Sequence, residues 1–458
     1  MMRADCVSHA ALALIIAFAC SSSGAETSGK VSFVREIAPI LSDQCLGCHQ
    51  PSKARGGYRV HAFAAASKSG DSGLMPWIAG DPAKSEILSR LITQDPDDRM
   101  PQDAEPLAAT QVDLFRRWIL EGAVFDGPDP SLGLHQLNPL TPHPSPPSAY
   151  KHPFPIQSLV LSPDAKLIYA AGRRELAEVN AVTGRLTRRL TNFPERITSL
   201  VLLQDQRRIA VAGGSPGRLG EVRIADLRED VQPTVLLRSA DMILALAVSP
   251  DSRWIAAGGC DASIRLFDPE SGLLKKTLEA HSDWVTWLSF QPDGETLTLV
   301  TAGRDKTARA FRVPNGELTG AWLDATDPLM ATVATPDGRH ALSGGRDKRI
   351  TRWDFADGKS RGTLKLPARE VLQLHRIDNV LWALLGDGCI HTGKLEQDGK
   401  AGEFQPLSVK DDELSSFAVS PDGAVLVAGS RTGRLYRWDL SQPEPKPIAL
   451  GHPFPKSQ

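Results

Sequence analysis

The feature that most constrains how this chain folds is a turn that recurs at an almost constant interval along its last two-thirds. An aspartate follows a strand-like segment seven times, at positions 164, 205, 251, 293, 337, 378 and 422. Consecutive aspartates are separated by 41 to 46 residues. A period of this length predicts a repeat architecture, in which similar small units stack because none can bury its apolar face alone.

Each repeat has the pattern of short strands joined by tight turns. Five of the seven aspartates directly follow a proline, as in Thr335-Pro336-Asp337-Gly338, and Pro-Asp-Gly sequences are typical of turns. A strand-like run such as 244–248 precedes the turn, and a second hairpin follows about ten residues later. An aromatic–aspartate pair such as Trp353-Asp354 then ends the unit. The sequence therefore predicts an all-β repeat.

These motifs resemble the WD40 family, whose members form β-propellers from four-stranded repeats of about 40–45 residues. The resemblance covers residues 152–458 and implies a seven-bladed propeller. Only the fourth repeat keeps both the leading histidine and the turn aspartate of the family, at His281 and Asp305, and its aromatic residue is Phe311. The tetrapeptide His-Pro-Phe-Pro at 152–155 recurs at 452–455, which indicates a ring of seven complete blades.

Residues 30–125 have a different, helical periodicity. Apolar residues recur at helical spacing from Phe33 to Leu41, and a second helix is predicted from a cap at Thr110 to Glu121. Residues 126–151 contain seven prolines and predict a semi-extended linker. We therefore expect a small all-α domain, this linker and then the propeller.

The five residues from Cys45 to His49 read Cys-Leu-Gly-Cys-His. This pattern is typical of haem c attachment, because two thiols can form thioethers with the haem vinyl groups and the adjacent histidine can bind the iron. The two cysteines alone would also suit a redox disulfide or half of a zinc site. A zinc site would need a second cysteine pair nearby, and a redox pair does not require His49. We predict one covalent haem c, bound by Cys45 and Cys48, with His49 as an axial iron ligand.

An electron-transfer haem usually has a second axial ligand, and the thioether sulfur of methionine favours ferrous iron. Met100 stands in an Arg-Met-Pro sequence, 51 residues after His49 and shortly before the second predicted helix. Met75 is the alternative, but it lies only 26 residues after the histidine. Met100 is therefore the predicted sixth ligand.

The front region resembles the planctomycete-type cytochrome c domain. The matching motifs in chain order are Ile-Ala-Pro-Ile-Leu at 37–41, the attachment sequence at 45–49, Gly-Gly-Tyr-Arg at 56–59, Gly-Asp-Pro at 80–82, Ser85, Arg-Met-Pro at 99–101, and residues 114–123. The resemblance covers nearly all of 33–125 and implies haem c binding with His49 and Met100 as ligands. Gln102 departs from the family, which often has a second proline at this position.

The first 25 residues have the features of a signal peptide. A ten-residue apolar run at 10–19 follows Arg3, and residues 23–25 offer small side chains for cleavage. Such a run is too short for a membrane-spanning helix, which needs about 20 apolar residues. We predict a periplasmic or secreted protein with no transmembrane span; cleavage before Cys20, giving a lipoprotein, is the alternative. The formal net charge of −2 gives no indication of a nucleic-acid partner.

Three functions are compatible with these features. The first, which we favour, is an exported mono-haem cytochrome that transfers electrons and uses its propeller to dock an unidentified redox partner protein. The second is an oxidoreductase with another cofactor or substrate site on the propeller face, although residues 152–458 contain no second attachment motif. The third is a scaffold whose main function is to bind a protein ligand on the propeller. The fold alone does not decide among these three functions, because propellers have many functions. Whether the protein is an enzyme stays open, and no catalytic residue is predicted.

Overall fold

The structure is a computed structural model that describes residues 29–455, apart from positions 47, 51–52, 103, 138–141, 229–230, 280 and 294–295. The predicted signal peptide at 1–25 lies outside these residues. Helical elements occupy the front of the chain, and seven four-stranded sheets follow from residue 159 onward. Within the described ranges, no helix has both the length and the hydrophobicity needed to cross a bilayer.

The chain enters the fold through a helical stretch, which we call the leading helix. Ser32 caps it, because the Ser32 hydroxyl accepts the backbone N–H of Arg35 at 3.0 Å. The apolar residues that the sequence placed on one face are all buried. The leading helix consists of a π-helical turn at Phe33–Ile37, the α-helix α1 at Ala38–Ile40 and a second π-helical turn at Leu41–Cys45.

The remaining front elements are short, except for one three-turn helix that the sequence predicted. They are β1 (His49–Gln50), β2 (Lys53–Ala54), a 3-10 turn at Arg55–Gly57, α2 (Phe63–Ala66), a 3-10 turn at Pro82–Lys84, α3 (Glu86–Ile92), α4 (Ala109–Leu120) and α5 (Leu134–Leu137). The predicted cap at Thr110 was wrong, since α4 already begins at Ala109. The side chain of Gln111 accepts the backbone N–H of Ala108 at 3.2 Å, which satisfies a donor at the start of the helix.

An aromatic cluster forms the centre of the front core. The Phe33 ring lies 4.8 Å from Phe63 and 5.5 Å from Trp118, measured between ring centroids. Trp77 packs edge-on against Trp118 at 5.0 Å, and the Trp118 indole N–H donates to the carbonyl of Val124 at 3.0 Å. Both tryptophans therefore stabilise the core.

The prediction of a semi-extended linker was wrong at α5, which lies within residues 126–151. Leu134 and Leu137 are buried in the same core cluster as the leading helix. Two apolar residues three positions apart share one helical face, and that face has a core to pack on. The beginning of the linker is therefore fastened to the front region.

The seven sheets form the predicted seven-bladed β-propeller, with blades numbered in chain order. Every blade consists of four antiparallel strands that are consecutive in sequence. The strands are β3 (Leu159–Leu161), β4 (Leu167–Ala171), β5 (Glu175–Asn180) and β6 (Leu186–Thr191) in blade 1; β7 (Arg196–Leu202), β8 (Arg208–Ser215), β9 (Leu219–Asp226) and β10 (Thr234–Ser239) in blade 2; and β11 (Ile243–Val248), β12 (Ile255–Gly259), β13 (Ile264–Phe267) and β14 (Leu274–Leu278) in blade 3.

The later blades repeat this arrangement. They are β15 (Val285–Asp293), β16 (Thr296–Gly303), β17 (Ala308–Val313) and β18 (Glu317–Trp322) in blade 4; β19 (Leu329–Ala334), β20 (His340–Gly345), β21 (Ile350–Asp354) and β22 (Ser360–Thr363) in blade 5; β23 (Val371–Ile377), β24 (Val380–Leu385), β25 (Ile390–Lys394) and β26 (Gln405–Leu407) in blade 6; and β27 (Leu414–Val419), β28 (Val425–Ser430), β29 (Leu435–Asp439) and β30 (Ile448–Gly451) in blade 7.

The ring closes through contacts between blade 7 and the residues that precede blade 1. The backbone N–H of Ile156 donates to the carbonyl of Ser430 at 3.2 Å, and the Ser416 hydroxyl donates to the Ile156 carbonyl at 2.6 Å. Phe154 and Phe454, from the two His-Pro-Phe-Pro sequences, lie 5.0 Å apart between ring centroids. The repeated tetrapeptide thus forms a clasp across the junction.

His281 is a structural residue of blade 4. Its Nδ1 lies 3.0 Å from a carboxylate oxygen of Asp305, and its Nε2 lies 2.8 Å from the Thr301 hydroxyl. The imidazole and the carboxylate are both buried, so their hydrogen bonds satisfy groups that would otherwise be costly to desolvate.

Candidate functional site

The leading helix ends at a cavity of about 530 Å³, which we call the front cavity. Three of the four predicted haem-binding residues line it together: Cys45, His49 and Met100. Its volume lies within the ~300–1,000 Å³ range of cofactor pockets. The fold therefore brings together donors that are up to 55 positions apart in sequence.

Cys45 is at the end of the leading helix, where the backbone N–H of Leu46 still donates to the Leu41 carbonyl at 2.9 Å. Cys48 continues the turn, since its N–H donates to the Cys45 carbonyl at 3.2 Å, but its side chain is not part of the cavity lining. Both thiols are free and partly buried. Burial raises the pKa of the Cys45 thiol to about 12, and the neighbouring Cys48 adds to this.

His49 is fixed by backbone groups on both sides. Its carbonyl accepts the N–H of Val60 at 2.8 Å, and its Nδ1 lies 3.3 Å from the Tyr58 carbonyl. A carbonyl can only accept, so Nδ1 carries the proton and Nε2 keeps a free lone pair. Burial lowers the pKa of His49, although the backbone contacts with Tyr58 and Arg55 oppose this, and the imidazole is neutral as iron ligation requires.

Tyr58 belongs to the Gly-Gly-Tyr-Arg motif, whose sequence alone does not indicate a contact with His49. It reaches His49 because Gly56 and Gly57 both adopt the left-handed conformation, with φ of 61° and 64°. A Cβ on Gly57 would lie 2.2 Å from Oδ1 and 3.2 Å from the backbone nitrogen of Asp71, so the Asp71 side chain would have to move. The Tyr58 hydroxyl donates to the Ala66 carbonyl at 2.9 Å, which holds the turn against α2.

The two candidate methionines have different environments. Met100 is partly buried, and its backbone N–H donates to the Arg90 carbonyl at 2.9 Å, which ties it to α3. Met75 is 49% exposed and lines a separate groove outside the front cavity. Of the two sulfurs, only that of Met100 belongs to a residue that shares a cavity with His49.

The remaining lining suits a large planar group with charged edges. Buried apolar side chains of Leu41, Val60 and Leu91 form part of the wall, and the cations Arg55 and Arg90 stand in the same lining. Haem has an apolar macrocycle and two carboxylates, so this combination and the thiol, imidazole and thioether donors fit it.

The described residues contain no group of three or more His, Cys, Asp or Glu side chains placed to hold a metal ion. In the lining of the front cavity, Cys45 and His49 are the thiol and imidazole donors, which is fewer than the four ligands of a structural zinc ion. An iron held by a macrocycle needs only two further ligands, which His49 and Met100 could supply. The front cavity therefore fits haem better than it fits a free metal.

The linker holds the front region on blade 2. The backbone N–H of His143 donates to the side-chain oxygen of Asn192 at 2.8 Å, and its Nε2 lies 2.7 Å from Oε2 of the buried Glu221. Ala240, which follows β10, packs against the core of the front region. Sequence patterns gave no sign of these contacts, because they join residues far apart in the chain.

Comparison with known proteins supports both resemblances. Residues 45–103 match the family model described as planctomycete cytochrome C, a range that includes all four predicted haem-binding residues. Residues 233–268, 272–312 and 405–439 match the WD domain, G-beta repeat. Each of these matches begins at the fourth strand of one blade and ends at the third strand of the next blade. The sequence repeat is therefore offset by one strand from the structural blade. The chain therefore combines a segment similar to planctomycete cytochrome C with a WD40 propeller.

A curated relative matches part of the chain. It is an uncharacterized WD repeat-containing protein of Synechocystis sp., 28% identical over 169 residues. The match covers 37% of this chain and 47% of the relative, so it spans about half of that protein's length.

Proposed function

We propose that this protein is an exported mono-haem c-type cytochrome that transfers electrons and docks a partner protein on its propeller. Cys45 and Cys48 would hold the haem through thioether bonds, and His49 and Met100 would be the axial iron ligands. In this proposal residues 1–25 are a cleaved signal peptide, 30–125 an all-α cytochrome c-like domain, 126–151 the linker and 152–458 the propeller. The mature protein is periplasmic or secreted.

The main support for this proposal is one observation on the front cavity. A thiol, an imidazole and a thioether, contributed by Cys45, His49 and Met100, line one cavity of cofactor size. Cys45 and His49 are close in sequence, and the fold brings Met100, 51 residues after His49, to the same cavity. The match of 45–103 to planctomycete cytochrome C supports the same assignment.

When bound, haem supplies one-electron chemistry through ferrous and ferric iron. The Tyr58 carbonyl holds the proton on Nδ1 of His49 and so orients Nε2 for ligation. The bond from Met100 to α3 fixes the loop that presents the sulfur. Apolar wall residues such as Leu41 and Val60 exclude water, which together with a methionine ligand favours a raised reduction potential.

The propeller supports the partner-docking part of the proposal. WD40 propellers commonly bind other proteins, and this one leaves its loops exposed around a closed ring. The contacts of His143 and Ala240 hold the front region on blade 2. A partner bound to the propeller would therefore stand in a fixed relation to the haem.

The axial ligand can be tested with a matched pair of variants. Met100→Ala and Met75→Ala are made in the full chain, expressed with a cytochrome c maturation system, and compared by absorption spectrum and reduction potential. We expect both variants to retain covalent haem. Only Met100→Ala should lower the reduction potential and lose the spectral signature of methionine-ligated ferric haem. A normal spectrum and potential in Met100→Ala would overturn the ligand assignment.

A further inference from the structure

The segment that carries Met100 is strongly acidic, unlike the chain as a whole. Residues 71–105 contain eight Asp or Glu and three Lys or Arg, a net charge of −5, whereas the whole chain has −2. This segment supplies one side of the front cavity, including Asp71, Glu86 and Asp97. The cations of this lining are Arg55 and Arg90, so the cavity wall carries a small excess of acidic groups.

A groove of about 710 Å³ lies beside the front cavity and exposes apolar side chains. Leu74 is 60% exposed, Met75 49% and Ile78 37%. Glu86 and Arg90 line both the groove and the front cavity, so the two share a wall. Adjacent exposed apolar side chains are a feature of protein-binding surfaces.

The acidic side chains of the segment 71–105 are only partly neutralised by ion pairs. Arg90 forms ion pairs with Glu86 and Asp98, and Lys84 pairs with Asp81. In the part of the chain that the structure describes, the side chains of Asp95 and Asp97 form no ion pair and are exposed. Their charge is therefore free to act on an approaching molecule.

We propose that this surface docks an electron-transfer protein whose own redox centre is surrounded by basic residues. We call it the docking patch and define it by Leu74, Met75 and Ile78 together with Asp95, Asp97 and Asp98. The apolar side chains exclude water next to the front cavity, and the carboxylates attract and orient the cationic partner. The inference rests on the proposed function, since it needs a haem in the front cavity.

The size of the steering effect follows from Coulomb attraction. We take one carboxylate about 10 Å from a trivalent cation in water, at an ionic strength of 10 mM. Two such carboxylates then raise the encounter rate on the order of tenfold. At 150 mM the same two carboxylates raise the encounter rate only about threefold, because the screening length falls to about 8 Å.

The attraction exerted by the acidic side chains of the docking patch can be tested with small redox reagents on the haem-loaded full chain. Stopped-flow rates are measured for oxidation by pentaammine(pyridine)ruthenium(III), a trication, and by ferricyanide, a trianion, between 10 and 500 mM salt. The variant Asp95→Asn/Asp97→Asn is compared with Glu396→Gln/Glu444→Gln, which removes two exposed charges from the propeller. We expect the first variant to slow the trication about tenfold at low salt and the control to have little effect. Equal effects of the two variants would overturn the proposal.

The protein partner is tested with a lysine-rich cytochrome c and its succinylated form, which has the same fold and the opposite surface charge. Electron exchange should be fast and salt-sensitive with the lysine-rich form and slow with the succinylated form. Leu74→Ser should slow exchange with the protein but leave the rate with pentaammine(pyridine)ruthenium(III) unchanged. Faster exchange with the succinylated form would overturn the proposal. A chain that binds no haem would instead refute the proposed function, and this outcome is read from the spectrum before any rate is measured.

Discussion

Glu221 joins the linker to blade 2 through a fully buried carboxylate on β9. One of its oxygens lies 2.7 Å from Nε2 of His143 and accepts from Nε of Arg223 at 2.8 Å. The other accepts from Nε of Arg238 at 2.9 Å. Replacing this carboxylate with an amide leaves the buried cations without their counter-charge.

The cost of Glu221→Gln can be worked out from the pKa of the carboxyl group. Burial opposes the ionised form, but hydrogen bonds from His143 and Arg223 outweigh it and lower the pKa of Glu221 to about 2. A fall from the ordinary value of 4.5 to about 2 corresponds to roughly 3 kcal/mol in favour of the ionised, folded state. This value agrees with the ~3–5 kcal/mol that breaking a buried ion pair typically costs.

The direction of the pKa shift determines how the stability contributed by Glu221 changes with pH. Because the pKa of Glu221 is lower in the folded state, its contribution is fully present above pH ~4.5 and is lost as the pH falls towards 2. Urea unfolding of the full chain should therefore show Glu221→Gln to be less stable by about 3 kcal/mol at pH 7, with the difference shrinking below pH 4.5.

A surface ion pair supplies the control for this experiment. Glu270 pairs with Arg208, but the Glu270 side chain is 75% exposed, so Glu270→Gln should cost less than ~1 kcal/mol. If the two variants lost similar stability, or if the loss in Glu221→Gln did not depend on pH, the reasoning about the buried carboxylate would be refuted.

Three further variants test other parts of the structure. His281→Ala should destabilise the propeller by about 1–3 kcal/mol in urea unfolding, because it leaves the buried carboxylate of Asp305 without its main partner. Phe454→Ala removes a buried ring from the clasp and should cost about 3–5 kcal/mol, seen as a lower thermal midpoint and faster proteolysis at the junction of blades 1 and 7. Gly57→Ala forces a side chain onto Asp71 and should lower the yield of haem-loaded protein, measured by absorbance, while Gly217→Ala, at a glycine with similar φ and open space, should not.

Much of the fold could be predicted because periodic features are local. The turns with aspartate at 41–46-residue intervals gave the number of blades, and the spacing from Phe33 to Leu41 gave the leading helix. What the sequence did not reveal depends on tertiary contacts. The packing of α5 and the contact between His143 and Glu221, 78 residues apart, leave no pattern in a proline-rich segment.

The same difference between local patterns and tertiary contacts applies to the candidate site. Cys45, His49 and Met100, which line one cavity, could be chosen as candidates because the attachment pattern and the Arg-Met-Pro sequence are recognisable, and their role as haem-binding residues is a proposal. The orienting partner of His49 could not, because the Tyr58 carbonyl is a backbone group that every residue has. Its only trace in the sequence is the pair Gly56-Gly57, whose left-handed conformations make the turn possible.

The most direct test of the central claim is the number of covalent haems per chain. The full chain is exported in a host with a cytochrome c maturation system and purified under denaturing conditions. Intact mass and the reduced-minus-oxidised spectrum are then measured beside Cys45→Ser/Cys48→Ser. We expect one haem, which stays with the denatured wild-type chain and is absent from the variant. A wild-type chain that emerges without haem, while a control cytochrome from the same cells is fully loaded, would show that this protein is not a c-type cytochrome.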